Sequence, residues 1–525
     1  MSGEQELKGP DFGAGVPLGL IPDGGMLLGH AQGKAVLIAR RDGELFAIGA
    51  TCTHYSGPLG EGLLVGETVR CPLHHACFSV RTGEALSAPA LDPVSRWEIE
   101  RRGATVVVTG EIKAADGATP SGVGSSWREY PAVADVQSVI IIGAGAAGNA
   151  AAEMLRRVGF SGDITMIGAD TAKPYDRPNL SKDYLAGTAQ EEWLPLRSPD
   201  FYEKHNIELL TSTKATAIGS GARSVTLSSG EVRRYDRLLL CTGATPIQLP
   251  VPGADLPHVF YLRTLDDSHR IIAAAKNAKS AAVIGASFIG LEAAASLRTR
   301  GLDVHVIAPD EVPLQKVFGS ELGAHIKRLH ELKGVKFSLQ KSVTAISTNA
   351  VALNEGDAIA ADLVVVGIGV RPNLELAKGA GLTIDNGVVV DAMLESSVKG
   401  IYAAGDIASF PYRTGGRIRV EHWVVAERQG QTAARNMLGA LEQFDDIPFF
   451  WSAHFGTEIR YVGHASTFEE VVVGGDIEKD DAIVAYREKG KTVAFATLGR
   501  DVACLQAERA LEEDDTKTMN DLTAK

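Results

Sequence analysis

The chain has 525 residues, 45% of them apolar and 22% charged, with a net charge of −13. That length exceeds what one hydrophobic core serves and suits about three or four domains of a folded protein. The negative balance repels polyphosphate and argues against a nucleic-acid partner, and no apolar run is long enough to predict a membrane span.

The first residues, MSGEQELKGPDFGAG, lack the basic-then-apolar order of a secretory signal. Five scattered cysteines, an odd number, make no disulfide scaffold and predict a reducing, cytoplasmic setting. From about 16 to 112, short β-type runs such as KAVLIAR, LFAIGA, ETVRC and ATVVVTG alternate with Gly-rich turns, so residues 1–112 are expected to form a small antiparallel β domain. The stretch 114–131, AADGATPSGVGSSWREYP, has no periodicity and predicts a linker, taken as 113–135.

Within the β domain, Cys52-Thr-His54 is followed after sixteen residues by Cys71-Pro-Leu-His74, each pair in a turn between β runs. Two thiolates can hold one iron of a [2Fe–2S] centre while two neutral imidazoles hold the other. A structural zinc on the same four residues is the alternative, and visible absorption separates the two. The segments CTHYSGPLGEG and CPLHHACFSVRTGE resemble the two cluster loops of a Rieske domain. The resemblance implies Cys52, His54, Cys71 and His74 as metal ligands. The second loop carries Cys77 but the first has no counterpart, so a disulfide-free, lower-potential cluster is expected. His75 is read as packing or solvent-facing.

After the linker, SVIIIGAGAAGNAAAEMLRRVG and AAVIGASFIGLEAAASLRTRG repeat one pattern of strand, glycine turn and helix. In the first, Gly143 allows the tight turn, Gly145 lets backbone approach a pyrophosphate, and Gly148 packs helix on strand, with Asp170 as the ribose-binding acid. The second copy has Gly285, Gly290 and Asp310, with Ser287 in place of the middle glycine. Two such units predict two dinucleotide-binding lobes. From about 444, β-like runs and a helical tail predict a small C-terminal α/β domain.

Three segments, RPNLSKDYL (177–185), LLLCTGATP (238–246) and GIYAAGDIA (400–408), resemble flavin-contacting signatures of the two-dinucleotide-domain flavoprotein reductases, and GIGVRPN (367–373) resembles the segment closing their nicotinamide lobe. The resemblance implies Arg177 and Lys182 near the FAD pyrophosphate and isoalloxazine, Thr242, Gly243 and Gly405 at the cofactor, Asp406 on the ribityl chain, and Glu292 pairing with the lysine. Glu421, His422 and Trp423 are implied beside the flavin and nicotinamide, and Lys182, Glu292 and Trp423 are the candidate catalytic residues. Ala169 and Ala308 stand where many relatives carry the ribose-binding glutamate. No closely spaced cysteine pair follows the linker, which sets the chain apart from the thioredoxin- and glutathione-reductase types.

More closely, the chain resembles apoptosis-inducing-factor-like proteins with a fused Rieske domain and the ferredoxin reductases of aromatic-ring dioxygenase systems. The implied organisation is a Rieske domain, an FAD lobe in two parts (136–260 and 386–443), an NAD lobe (261–385) and a reductase C-terminal domain (444–525). The implied activity is transfer from NADH to FAD, to the chain's own [2Fe–2S] cluster and on to a one-electron acceptor such as an oxygenase or cytochrome. NADH is expected over NADPH, because Asp310 repels a 2′-phosphate and segment 304–315 holds no Lys or Arg. A homodimer is allowed. The rival reading is a redox-responsive interaction protein with low turnover.

Overall fold

The computed structural model describes residues 7–113 and 136–524. The expected linker at 114–131 lies outside them. The N-terminal part is an antiparallel sheet of six strands in the spatial order Val16–Pro17, Thr105–Ile112, Arg96–Arg102, Glu44–Gly49, Lys34–Arg41, Met26–Ala31. A second sheet of four short strands, Leu63–Val65, Thr68–Arg70, Cys77–Ser79 and Ala85–Ser87, packs beside it. Cys52 and His54 follow the strand Glu44–Gly49, and Cys71 and His74 occupy the turn between Thr68–Arg70 and Cys77–Ser79.

Two parallel sheets follow, each of five strands. The first runs Ile207–Leu210, Asp163–Ile167, Ser138–Ile142, Arg237–Leu240, Ile401–Ala403, and the second Val259–Tyr261, Leu363–Val366, Ser280–Ile284, Asp303–Ala308, Lys336–Leu339. Their central strands, SVIII and SAAVI, are almost wholly buried, as expected where helices cover both faces of a parallel sheet. The strand Ile401–Ala403 returns to the first sheet after the second is complete, so the first lobe is split around an inserted one.

The helix Ala146–Arg157 is rich in alanine, and this lets a second helix, Trp423–Met437, lie close against it. A Cβ at Gly430 would fall 2.2 Å from the Ala147 carbonyl oxygen, so only glycine fits that crossing. The C-terminal part is an antiparallel sheet in the order Phe449–His454, Thr457–Gly463, Lys491–Leu498, Asp481–Glu488, Glu470–Asp476, backed by helices Asp501–Glu512 and Thr516–Thr523. Among the described residues, no helix is long and apolar enough to cross a membrane.

Candidate redox site at the domain junction

The four ligand candidates converge because each loop closes on its own backbone. The Cys52 amide donates to the Gly57 carbonyl and the Cys71 amide to the Ala76 carbonyl, both at 2.8 Å. The proximity of the two thiols pulls Cys71 down and, with burial, pushes Cys52 up. The rings of His54 and His74 lie 5.0 Å apart, nearly perpendicular. Burial lowers His54 to about 4 and His74 well below its ordinary value, so both imidazoles stay neutral and keep a lone pair for a metal.

This donor set fits a two-iron cluster. His54 Nδ1 is buried without a partner. A Cβ on Gly57 would stand 2.5 Å from Cys71 Sγ, so the loop leaves the sulfur just the space it has. Two thiols and two neutral imidazoles, one of each from either loop, are the donor set that suits two metal atoms.

His74 is 5% exposed and faces the indole of Trp451, with ring centroids 4.2 Å apart. Lys182 Nζ lies 5.9 Å from the centre of that same indole and donates to Glu292 at 2.8 Å. Glu292 is buried and also accepts from Ser181 Oγ at 2.6 Å and Ser452 Oγ at 2.7 Å. The structure thus brings the expected Lys182 and Glu292 together, and joins them to the metal-ligand loops through a residue that sequence reasoning did not single out. The signal available was a tryptophan in FFWSAH at the head of the C-terminal part. Trp423 instead opens the helix Trp423–Met437 and packs against the core of the split lobe.

The first glycine turn has the expected shape. Gly143 has φ +122, and its Cβ would fall 2.1 Å from the Cys241 carbonyl oxygen; a Cβ on Gly148 would fall 1.9 Å from the Gly143 oxygen. Gly145 is different, because a Cβ there would meet no protein atom within 4 Å. The open side of Gly145, at a helix N-terminus, is a cradle suited to a pyrophosphate. In the second copy Gly285 and Gly290 make the equivalent close approaches to the Gly367 and Gly285 oxygens. Ser287 is more than a tolerated departure, since its Oγ accepts from the Gly290 amide and donates to the Gly367 carbonyl, capping the helix Phe288–Thr299.

The remaining candidates form local groups. Asp170 accepts from the Tyr175 hydroxyl at 2.6 Å. Arg263, unnoticed in the sequence, donates to Asp406 at 2.7 Å, while its carbonyl accepts from Arg177 at 2.6 Å; a Cβ at Gly243 would stand 3.1 Å from its guanidinium. Thr242 donates to the Asn373 carbonyl, which ties LLLCTGATP to GIGVRPN. The Gly405 amide donates to Gln429. Glu421 pairs with Arg419 at 2.6 Å, and His422, its pKa pulled to about 3 by burial, lies against Phe450. Asp310 is 37% exposed, and Lys316, just beyond segment 304–315, comes within 3.7 Å of it. A cation therefore does stand near that carboxylate.

The β domain is held on the rest of the chain largely by arginines. Arg157 donates to the carbonyls of Ala85 and Leu91, Arg428 to those of His75 and Ala88, and Arg460 to that of Leu73. Arg197 pairs with Asp92. From the other side Arg70 pairs with Glu508 and Glu512 of the C-terminal helix. His75 is neither solvent-facing nor merely packed: it is fully buried, with Nδ1 2.9 Å from Glu508.

Comparison with known proteins matches three family models: a Rieske [2Fe-2S] domain over residues 20–98, a pyridine nucleotide-disulphide oxidoreductase over 137–430, and a reductase C-terminal domain over 449–524. "Apoptosis-inducing factor 3" of Homo sapiens is 32% identical over 89% of this chain and 78% of its own length. "Rhodocoxin reductase" of Rhodococcus erythropolis is 38% identical over 65% of this chain and 81% of its own. Among solved structures, that of the covalent putidaredoxin reductase-putidaredoxin complex superposes with a TM-score of 0.70 at 34% identity, over 74% of this chain and 95% of that one.

Proposed function

Since the chain belongs to the pyridine nucleotide-disulphide oxidoreductase family, with a Rieske [2Fe-2S] domain before that region and a reductase C-terminal domain after it, we propose that electrons from NADH leave through its own Rieske cluster to a one-electron acceptor protein. It is a flavoprotein oxidoreductase of the ferredoxin-reductase type, with FAD, NAD(H) and a [2Fe-2S] cluster as cofactors. When bound, FAD supplies the exchange of a hydride for single electrons, which the cluster takes one at a time.

The observation that carries the route is the single indole, Trp451, in contact with His74 on one side and 5.9 Å from Lys182 on the other. Cys52, Cys71, His54 and His74 hold the cluster. Gly143, Gly145 and Gly148 admit the FAD pyrophosphate to the first lobe, with Asp170 toward its ribose. Arg177, Thr242, Gly243, Gly405, Asp406 and the segment Glu421 to Trp423 line the rest of that cofactor. Gly285, Gly290 and Asp310 serve NAD(H) in the second lobe. Glu292 holds Lys182 in place beside the flavin: a buried carboxylate with three donors is a rigid anchor. All five cysteines are unpaired, which suits a reducing, cytoplasmic setting. Relatives named as ferredoxin--NAD(+) reductase components of dioxygenase systems favour an acceptor protein of that kind. A homodimer belongs to the same reading and is settled by light scattering.

His74→Ala tests the route. It removes one of two imidazoles from an iron, so the cluster should be lost while NADH still bleaches the flavin near the parental rate in anaerobic stopped flow. Reduction of a one-electron protein acceptor should collapse. If it survives, the Rieske domain is not the exit. A reduced form that persists with NAD⁺ bound and changes oligomeric state, without sustained turnover, would favour the interaction-protein reading instead.

A further inference from the structure

Three buried residues other than glycine adopt left-handed backbone among the described residues: His75, Leu314 and Leu394. His75 alone of these is polar. It has φ +61 and follows the ligand His74 directly. A side chain that crowds such backbone persists when the surroundings hold it there. Here they lie across the domain junction. The imidazole stacks on Phe449 with centroids 4.0 Å apart, and Phe449 belongs to the core of the C-terminal part. Nδ1 meets Glu508 at 2.9 Å, and the His75 carbonyl accepts from Arg428 at 3.0 Å. Nε2 is buried and unpartnered, so the one side-chain hydrogen bond of this ring crosses the junction to Glu508.

Glu508 is the matching socket. It is 1% exposed on the helix Asp501–Glu512 and faces Arg70 at 3.2 Å and Arg428 at 3.4 Å besides His75. A carboxylate this buried needs those partners, and withdrawing the β domain would strip it of two, Arg70 and His75. Both sides of the contact are therefore expensive to separate.

We infer that His75 is a positioning residue, a key that seats in the Phe449–Glu508 socket and keeps the Rieske domain docked with His74 against Trp451 as the standing state of the molecule. The Rieske domain is then a fixed part of the reductase and not a tethered shuttle. The docking claim stands on its own; its bearing on electron transfer rests on the route proposed above.

The test uses the full-length holoprotein with His75→Gly, because glycine adopts the left-handed backbone freely and spares the cluster loop. Removing one member of a buried, hydrogen-bonded charge group should shift the docked-to-undocked ratio by about 30-fold or more. Hydrogen exchange at the Ala88 amide, which bonds to Gln431 across the junction, and through strand Phe449–His454 should accelerate accordingly. The small-angle scattering radius should increase. The visible spectrum of the cluster should be unchanged, NADH should reduce the flavin at the parental rate, and cluster reduction should slow. Parental exchange and radius in His75→Gly would overturn the inference. Should that variant lose its cluster, Glu508→Gln, made on the C-terminal helix, must show faster exchange with an intact spectrum, and parental exchange there overturns it equally. A loosened junction with cluster reduction at the parental rate would leave the key in place and refute the route instead.

Discussion

Gly57→Ala should abolish the cluster while leaving the reductase intact. An added Cβ would sit 2.5 Å from Cys71 Sγ and 3.2 Å from two carbons of Leu73. Ordinary non-bonded contact is about 3.5–4.0 Å, so the sulfur would have to retreat by about 1 Å. Metal–ligand distances tolerate only about 0.2 Å. The displacement is several times that tolerance, and Leu73 blocks the alternative of moving the loop, since its carbonyl is fixed by Arg460. Iron and acid-labile sulfide per chain, with visible absorption, measure the outcome. Gly110→Ala is the control: it lies in the same β domain, and a Cβ there meets nothing within 4 Å. Full cluster content in Gly57→Ala would refute the argument that this loop is sized to its metal.

Two further outcomes are expected. NADH should be preferred to NADPH, but Lys316 beside Asp310 narrows the margin; an exposed pair is worth at most about 1 kcal/mol, so Lys316→Ala should widen the kcat/KM ratio several-fold, and an unchanged ratio would remove Asp310 from the selectivity. His422 takes a proton near pH 6.5 when unfolded but only near about 3 when buried, so its contribution is whole above pH 6.5 and is lost as pH falls through that window, at about 1.4 kcal/mol per pH unit. His422→Phe, packed on Phe450, should move acid unfolding of the reductase part to lower pH, and an unmoved midpoint would place the acid lability elsewhere.

What could be read from the chain was what is written in short spacing, together with the Lys182–Glu292 pair, 110 residues apart, which the family resemblance implied. Gly143, Gly145 and Gly148 fall within one turn of six residues, and Cys52 with His54 and Cys71 with His74 fall within single loops. Arg263, Trp451 and His75 escaped because each matters through a distant partner: Arg263 reaches Asp406 across 143 residues and His75 reaches Glu508 across 433. No local pattern marks such a pair. Lys316 escaped for a smaller reason, since it lies one residue past the stretch where a cation was sought.

The arginines that hold the β domain grip main-chain oxygens: Leu73, His75, Ala85, Ala88 and Leu91 accept through their carbonyls. A carbonyl is common to all twenty amino acids. Leu73, Ala85, Ala88 and Leu91 can therefore change side chain without loosening that part of the grip, provided their loops keep their course, while the host must preserve Arg157, Arg428 and Arg460 and the guest its side-chain partners Arg70, His75 and Asp92. Divergence in a lineage of such chains should fall unevenly across this seam, and a foreign domain of the same loop geometry could be grafted onto the host once it carried the equivalents of Arg70, His75 and Asp92.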